Sequence, residues 1–293
     1  MDKNIFTKIF TVFLIYSLLL LFIGRQIGFI PELHFGNKKV VTATQDTRKQ
    51  VLDQFLRNEK GEYSIYYKNL KTGEEFGIDE NKVQTAASLN KLPYVAYLYN
   101  QAGKGKISLS DQITIQKDDI QDYGTGSLRY ADPGGSYSLK TLTKLAMEQS
   151  DNTAAHVLGV RLGADNVQDY VNSLGMLATN LDNNTTSAKD MGTILGDLYM
   201  GKVVNSALKL ELLDFMKDTD FEDRLARNIP KSVSVYHKAG DGVGFVHDAG
   251  IIDDGKNPFI LVVMTSEVPD IEHAKSTIGK IAKFVYDKQV SAN

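Results

Sequence analysis

The chain has 293 residues, a formal net charge of −3 and no cysteine. That length suffices for one large or two ordinary domains with a sizeable core. The near-neutral charge gives no electrostatic basis for nucleic-acid binding, and the missing cysteines exclude disulfides, thiolate metal sites and a cysteine nucleophile.

Residues 1–8 carry Lys3 and Lys8. Between Lys8 and Arg25 runs Ile9 to Gly24, uncharged and rich in Leu, Ile, Phe and Val. As a helix this stretch rises about 24 Å, and snorkelling by Lys8 and Arg25 extends it toward a bilayer core of about 30 Å. A cleaved signal peptide is the rival reading and would make the protein secreted. Phe22-Ile23-Gly24-Arg25 lacks a small residue at its first position, and Val41-Thr42-Ala43 lies too far downstream. The expectation is an uncleaved single-pass anchor, with a short inner tail and the rest of the chain outside. Residues 25–45, with Gly28, Pro31 and Gly36, read as a linker.

The periodicity then predicts a helix over Thr47–Asn58. Glu62–Leu70 reads as a strand, Lys71-Thr72-Gly73-Glu74 as a turn and Glu75–Ile78 as the return strand of a hairpin. A helix follows from Ser88 to about Gln101, with Pro93 in its first turns, where a missing N–H matters least. From Ile107 to Pro230 the pattern is mostly helical, over Leu139–Glu148, Thr153–Leu162, Asn166–Leu174, Ala188–Met200 and Ala207–Met216. Strands return at Ser232–Ala239, Phe245–Asp253 and Pro258–Ser266, before a last helix over Ile271–Lys288. Residues 46–293 therefore read as one α+β domain. An antiparallel sheet from both ends (46–85 and 231–293) is layered between helices as αβα, beside a helical subdomain (86–230).

Three short motifs could carry chemistry. Ser88-Leu89-Asn90-Lys91 puts a serine and a lysine on one helix face. A serine hydroxyl needs an adjacent base, and a lysine serves once burial or a nearby cation lowers its pKa. Ser206 and Lys209 repeat that spacing. Ser150-Asp151-Asn152 falls between two predicted helices. Its hydroxyl can shuttle a proton, and the Asn152 amide can hold a substrate carbonyl or orient a lysine; alone, the triplet also reads as a helix cap. His237-Lys238-Ala239-Gly240-Asp241 lies on the first late strand. There Lys238 supplies charge, Gly240 admits a substrate backbone, and the N–H groups of Asp241 and Ser88 can form an oxyanion hole.

In this order the three motifs resemble those of the penicillin-recognising serine enzymes, the class A β-lactamases and penicillin-binding proteins. The likeness continues through Thr153-Ala154-Ala155 and through His247-Asp248-Ala249-Gly250-Ile251-Ile252, and spans roughly residues 46–290. It implies the family's two-subdomain fold, an acyl-enzyme at Ser88, and a bacterial plasma-membrane setting. It also implies catalytic roles for Lys91, Ser150 and Lys238, and substrate binding by Asn152, Ala239, Gly240 and Asp241. The substrate would be a β-lactam or a peptidoglycan stem peptide; no metal or cofactor is implied. The motif order makes Lys71-Thr72-Gly73 a plain turn and Ser206/Lys209 a solvated helix face.

One departure bears on mechanism. Class A enzymes carry a loop glutamate that activates the deacylating water. The matching segment here, Leu181-Asp182-Asn183-Asn184-Thr185-Thr186-Ser187-Ala188, is short, and no glutamate occurs between Glu148 and Glu211. Slow or atypical deacylation is expected; Asp182 reads as a structural loop residue, with its shorter carboxylate as a substitute for that glutamate the rival reading. Three classes stay open: a β-lactamase-like hydrolase, a D-Ala-D-Ala peptidase or transpeptidase, and a membrane-tethered sensor without catalysis. A Ser-His-Asp triad through His247 and Asp248 is disfavoured, because neighbours on a strand face opposite sides. His237 and His247 read as packing or supporting groups, and Tyr123 and Tyr130 as either cleft wall or loop packing.

Overall fold

The computed structural model describes residues 47–291. The expected tail, anchor and linker lie outside the described residues. Among those described, no helix is long and apolar enough to cross a membrane.

The chain begins with α1 (Thr47–Leu56), the hairpin β1 (Glu62–Asn69) and β2 (Glu75–Ile78), and the short β3 (Gln84–Thr85). The middle block holds α2 (Lys91–Gly103), β4 (Gln112–Thr114), β5 (Ser136–Ser138), α3 (Leu139–Glu148) and α4 (Asn152–Leu162). It continues with α5 (Ala164–Ser173), β6 (Thr185–Thr186), α6 (Ala188–Tyr199) and α7 (Ser206–Asp214). The chain closes with β7 (Ser234–Gly242), β8 (Phe245–Asp253), β9 (Phe259–Ser266) and α8 (Ile271–Ser291).

Five strands form one antiparallel sheet in the order β2-β1-β9-β8-β7. Its centre joins the two ends of the chain, with β1 paired to β9 from Glu62↔Ser266 to Asn69↔Phe259. Alternation sorts the side chains between faces. Tyr63, Ile65, Tyr67, Leu261 and Val263 pack with Ile278, Ile281 and Val285 of α8. Tyr66, Ile260, Val262 and Met264 pack instead with the helical block, against Met191, Ile194 and Leu195 of α6. Strand β9 is apolar on both faces because helices cover both.

Two features depart from the periodicity. The middle block is not only helical, for β4 pairs with β5 and β3 with β6. Strands of two or three residues are too short to show a period. Strand β7 also extends past Ala239 to Gly242, which brings Gly240 and Asp241 into the sheet edge.

Candidate active site

Ser88 lies in a 3₁₀ turn, Ala87–Asn90, that leads into α2 at Lys91. Ala87 holds φ +47°, a left-handed value that needs external support in a non-glycine. The support is at hand: Ala86 N donates to Asn184 O at 2.8 Å and Leu89 N to Ala86 O at 3.1 Å. The turn packs directly on β7. A Cβ on Gly240 would stand 3.1 Å from Ala86 O and 3.4 Å from Leu89 N. Gly240 therefore admits the protein's own nucleophile turn, which a side chain at this position would crowd.

Lys91 is buried, and its Nζ donates to the Ser150 carbonyl, to Ser150 Oγ at 3.0 Å and to Asn152 Oδ1 at 2.8 Å. None of its hydrogen bonds among the described residues is to the Ser88 hydroxyl. Lys238, also buried, reaches the same Ser150 Oγ at 2.9 Å and the Ala239 carbonyl at 2.8 Å. One hydroxyl thus lies between two lysines. Burial pushes Lys91 down to about 7, opposed in part by the Asp151 carboxylate. Burial, and next the charge of Lys91, hold Lys238 well below the usual lysine range. Like charges around a buried hydroxyl disfavour each other, so at neutral pH the pair holds fewer than two protons.

The second motif is a helix cap and a site at once. Asp151 is the N-cap of α4, its Oδ1 accepting from Ala154 N at 2.9 Å, while Oδ2 accepts from Leu128 N at 2.8 Å. Ser150, at φ +53°, turns the chain just before the cap. Gly126 lies against Asp151, where an added Cβ would stand 2.2 Å from Oδ2. Asn152 Nδ2 donates to Tyr123 O at 3.1 Å, so its amide ties the 121–126 loop to Lys91.

Ser88, Lys91, Asn152 and Asp241 line one open cleft of about 790 Å³. Ala239 does not: it is 3% exposed and lies beneath the surface. Tyr123 lines the cleft, whereas Tyr130 does not and packs its ring near Arg129. The sequence reading missed Arg224. Its guanidinium grips Asp241 with Nη1 to Oδ1 at 2.6 Å and Nη2 to Oδ2 at 3.1 Å. No spacing marks that arginine, which comes from a loop 17 residues upstream of Asp241.

Residues 46–289 match the Beta-lactamase2 model, described as the beta-lactamase enzyme family. This chain belongs to the beta-lactamase enzyme family. It is a class A β-lactamase-like serine hydrolase. Beta-lactamase Toho-1 of Escherichia coli is 24% identical over 262 residues, covering 83% of this chain and 89% of that protein. Beta-lactamase 3 of Bacillus cereus is 25% identical over 199 residues, covering 61% and 62%. Among solved structures, PBP-A superposes with a TM-score of 0.78 at 24% identity, covering 83% of this chain and 96% of that one. The L158E mutant of PBP-A, an acyl-enzyme complex with penicillin G, superposes at 0.76 and 24% identity, covering 82% and 95%.

Within this family fold, the segment after α5 closes tightly. Asn180 and Thr185 exchange two backbone hydrogen bonds of 2.9 Å, forming a hairpin turn. Asn184 faces the cleft, with Oδ1 accepting from Asn90 Nδ2 at 2.6 Å. Asp182 is exposed and is not on the cleft wall. The two strand histidines serve the sheet. Thr265 N donates to His247 Nδ1 at 3.1 Å, so Nε2 carries the proton and donates to Thr85 O at 2.9 Å. Burial holds that ring neutral, at about 4. Lys209 donates to Tyr199 O on the helical block and does not reach the cleft.

Proposed function

We propose that this chain is an acylating serine enzyme, held at the outer face of a bacterial plasma membrane by residues 9–24. It would take a β-lactam or a D-Ala-D-Ala-type wall peptide. The observation that carries this reading is the buried Ser150 Oγ held between Lys91 and Lys238, with Lys91 itself on the wall of the cleft that holds Ser88.

In this scheme neutral Lys91 takes the Ser88 proton as Oγ bonds to the substrate carbonyl carbon. The N–H groups of Ser88 and Asp241 receive the developing oxyanion. The amide C–N bond then breaks, and the leaving nitrogen gains a proton through Ser150, with Lys238 holding that hydroxyl. The ester is hydrolysed slowly, because the 180–185 turn brings no carboxylate to the cleft to activate water. That same turn favours a second reading, a D-Ala-D-Ala carboxypeptidase or transpeptidase, in which an amine or a slowly activated water accepts the acyl group.

Intact-protein mass after penicillin treatment tests the reading. A single adduct that Ser88→Ala abolishes is expected, with its decay followed over time. Adduct loss at many turnovers per second overturns slow deacylation. Binding that survives Ser88→Ala, with no adduct in wild type, returns the chain to a sensor. Comparing a D-Ala-D-Ala peptide with a chromogenic cephalosporin separates the two enzymatic readings.

A further inference from the structure

His156 stands on the wall of the same cleft as Ser88, Lys91 and Asn152. It follows Asn152 by four residues on α4, so the two side chains share one helix face with their Cβ atoms about 6 Å apart. Asn152 in turn holds Lys91 through Oδ1. The imidazole is half-buried, and among the described residues it makes no hydrogen bond, ion pair or ring contact. That sets it apart from His237 and His247, which are buried and hydrogen-bonded within the sheet. The other titratable groups on the cleft wall are engaged or unsuited to take a proton. Lys91 is committed to Ser150 and Asn152, and Arg224 grips both carboxylate oxygens of Asp241. Tyr94 and Tyr123 are phenols, and burial raises Tyr94 further. Past His156 the wall is built from Gly159, Gly163 and Ala164, small residues that leave room for a second molecule beside the ring.

We propose that His156 is the base of the second half-reaction, taking the proton of the water or amine that attacks the Ser88 ester. This rests on the acylation reading above and adds its acceptor step. An imidazole suits that step, because it both accepts and returns a proton near neutral pH. As the acceptor oxygen or nitrogen bonds to the ester carbon, a ring nitrogen of His156 takes its proton. The bond from that carbon to Ser88 Oγ then breaks, and Oγ gains the proton held between Lys91 and Lys238. His156 releases its own proton to solvent, and solvent refills the lysine pair. The acid or amide product leaves with Ser88 restored.

The test labels Ser88 with penicillin G, removes the free compound and follows adduct loss by intact mass. Buffer alone offers water as acceptor, and added glycinamide offers an amine. His156→Ala should lower the ratio of adduct loss to adduct formation about a hundredfold in at least one arm, and that arm names the acceptor. Imidazole added to the buffer should restore His156→Ala at least tenfold by standing in for the missing ring. It should leave His156→Gln unrestored, because the amide fills that space. A defect in α4 would not respond to imidazole, so the rescue separates a base from a structural group. A ratio within threefold of wild type in both arms, or a slowing that imidazole leaves unrestored in His156→Ala or restores equally in His156→Gln, overturns the proposal. A wild type that forms no adduct overturns acylation at Ser88 and leaves His156 no ester to act on, so the two failures are distinct.

Discussion

His237 and Asp248 form an ion pair with both side chains fully buried, Nδ1 lying 2.9 and 3.0 Å from the two carboxylate oxygens. Nε2 of the same ring meets Glu222 at 3.0 Å. Burial alone would lower the imidazole, but Asp248 first and Glu222 next outweigh it and raise it to about 9. The residue before Lys238 is therefore a buried cation that pins β7 to β8 and to the 219–225 loop.

That pair fixes a pH dependence of stability. A pKa raised from 6.5 to about 9 on folding stabilises fully below 6.5, and the gain fades as pH rises toward 9. The wild-type advantage over His237→Gln should be largest near pH 6 and shrink by up to about 3 kcal/mol by pH 9. Urea unfolding of both proteins across that range measures it, and taking the difference cancels titrations common to both. A constant gap would show that the ring is neutral when folded.

Lys91 sets a pH dependence of rate with the opposite sign. It acts as a base only when deprotonated, and burial lowers it to about 7. Acylation should therefore rise with pH, reach half its plateau near 7 and level off above. Lys91→Ala should slow it by about 10²–10⁴. Stopped-flow acylation with a chromogenic cephalosporin reads both, and a rate independent of pH from 6 to 9 would remove Lys91 as the base.

Asp151 links the stability of α4 to that base. Asp151→Ala loses the helix cap and leaves Leu128 N without its acceptor, which should cost about 2–4 kcal/mol. Asp151 also raises the Lys91 pKa by its charge, so its loss should move the acylation midpoint to lower pH. Asp151→Asn keeps an acceptor oxygen and should recover much of the stability without recovering the midpoint.

Gly240→Ala should damage rate more than stability. Its Cβ would press on Ala86 O and Leu89 N, shifting the turn that carries Ser88. The destabilisation should be about 1–3 kcal/mol, and the acylation rate should fall at least tenfold because small displacements of a nucleophile are costly. Thermal melts beside adduct kinetics separate the two effects. An unaltered rate would show that the turn does not depend on this contact.

Much of the frame could be read in the sequence because it depends on local periods. The alternation of Tyr63, Ile65 and Tyr67, and the doubly apolar run from Phe259 to Met264, mark strands covered by helices. The 3₁₀ turn at Ser88 was not legible, since a left-handed Ala87 is imposed by hydrogen bonds from a segment nearly a hundred residues away, at Asn184. The β3/β6 and β4/β5 pairs were hidden for the same reason, being too short to carry a period and formed by partners distant in the chain.

The order and chemistry of three motifs, which the chain itself determines, name Ser88, Lys91, Ser150, Asn152 and Lys238 as candidates, and the short 181–188 segment shows that a loop glutamate is missing. Tertiary structure decided how they meet. Only folding puts Lys91 and Lys238 on one hydroxyl, buries them so that their charges compete, hides Ala239, and sets Arg224 on Asp241. Motif residues are chosen one at a time along the chain, whereas burial and charge pairing arise between segments brought together by the closing of the sheet.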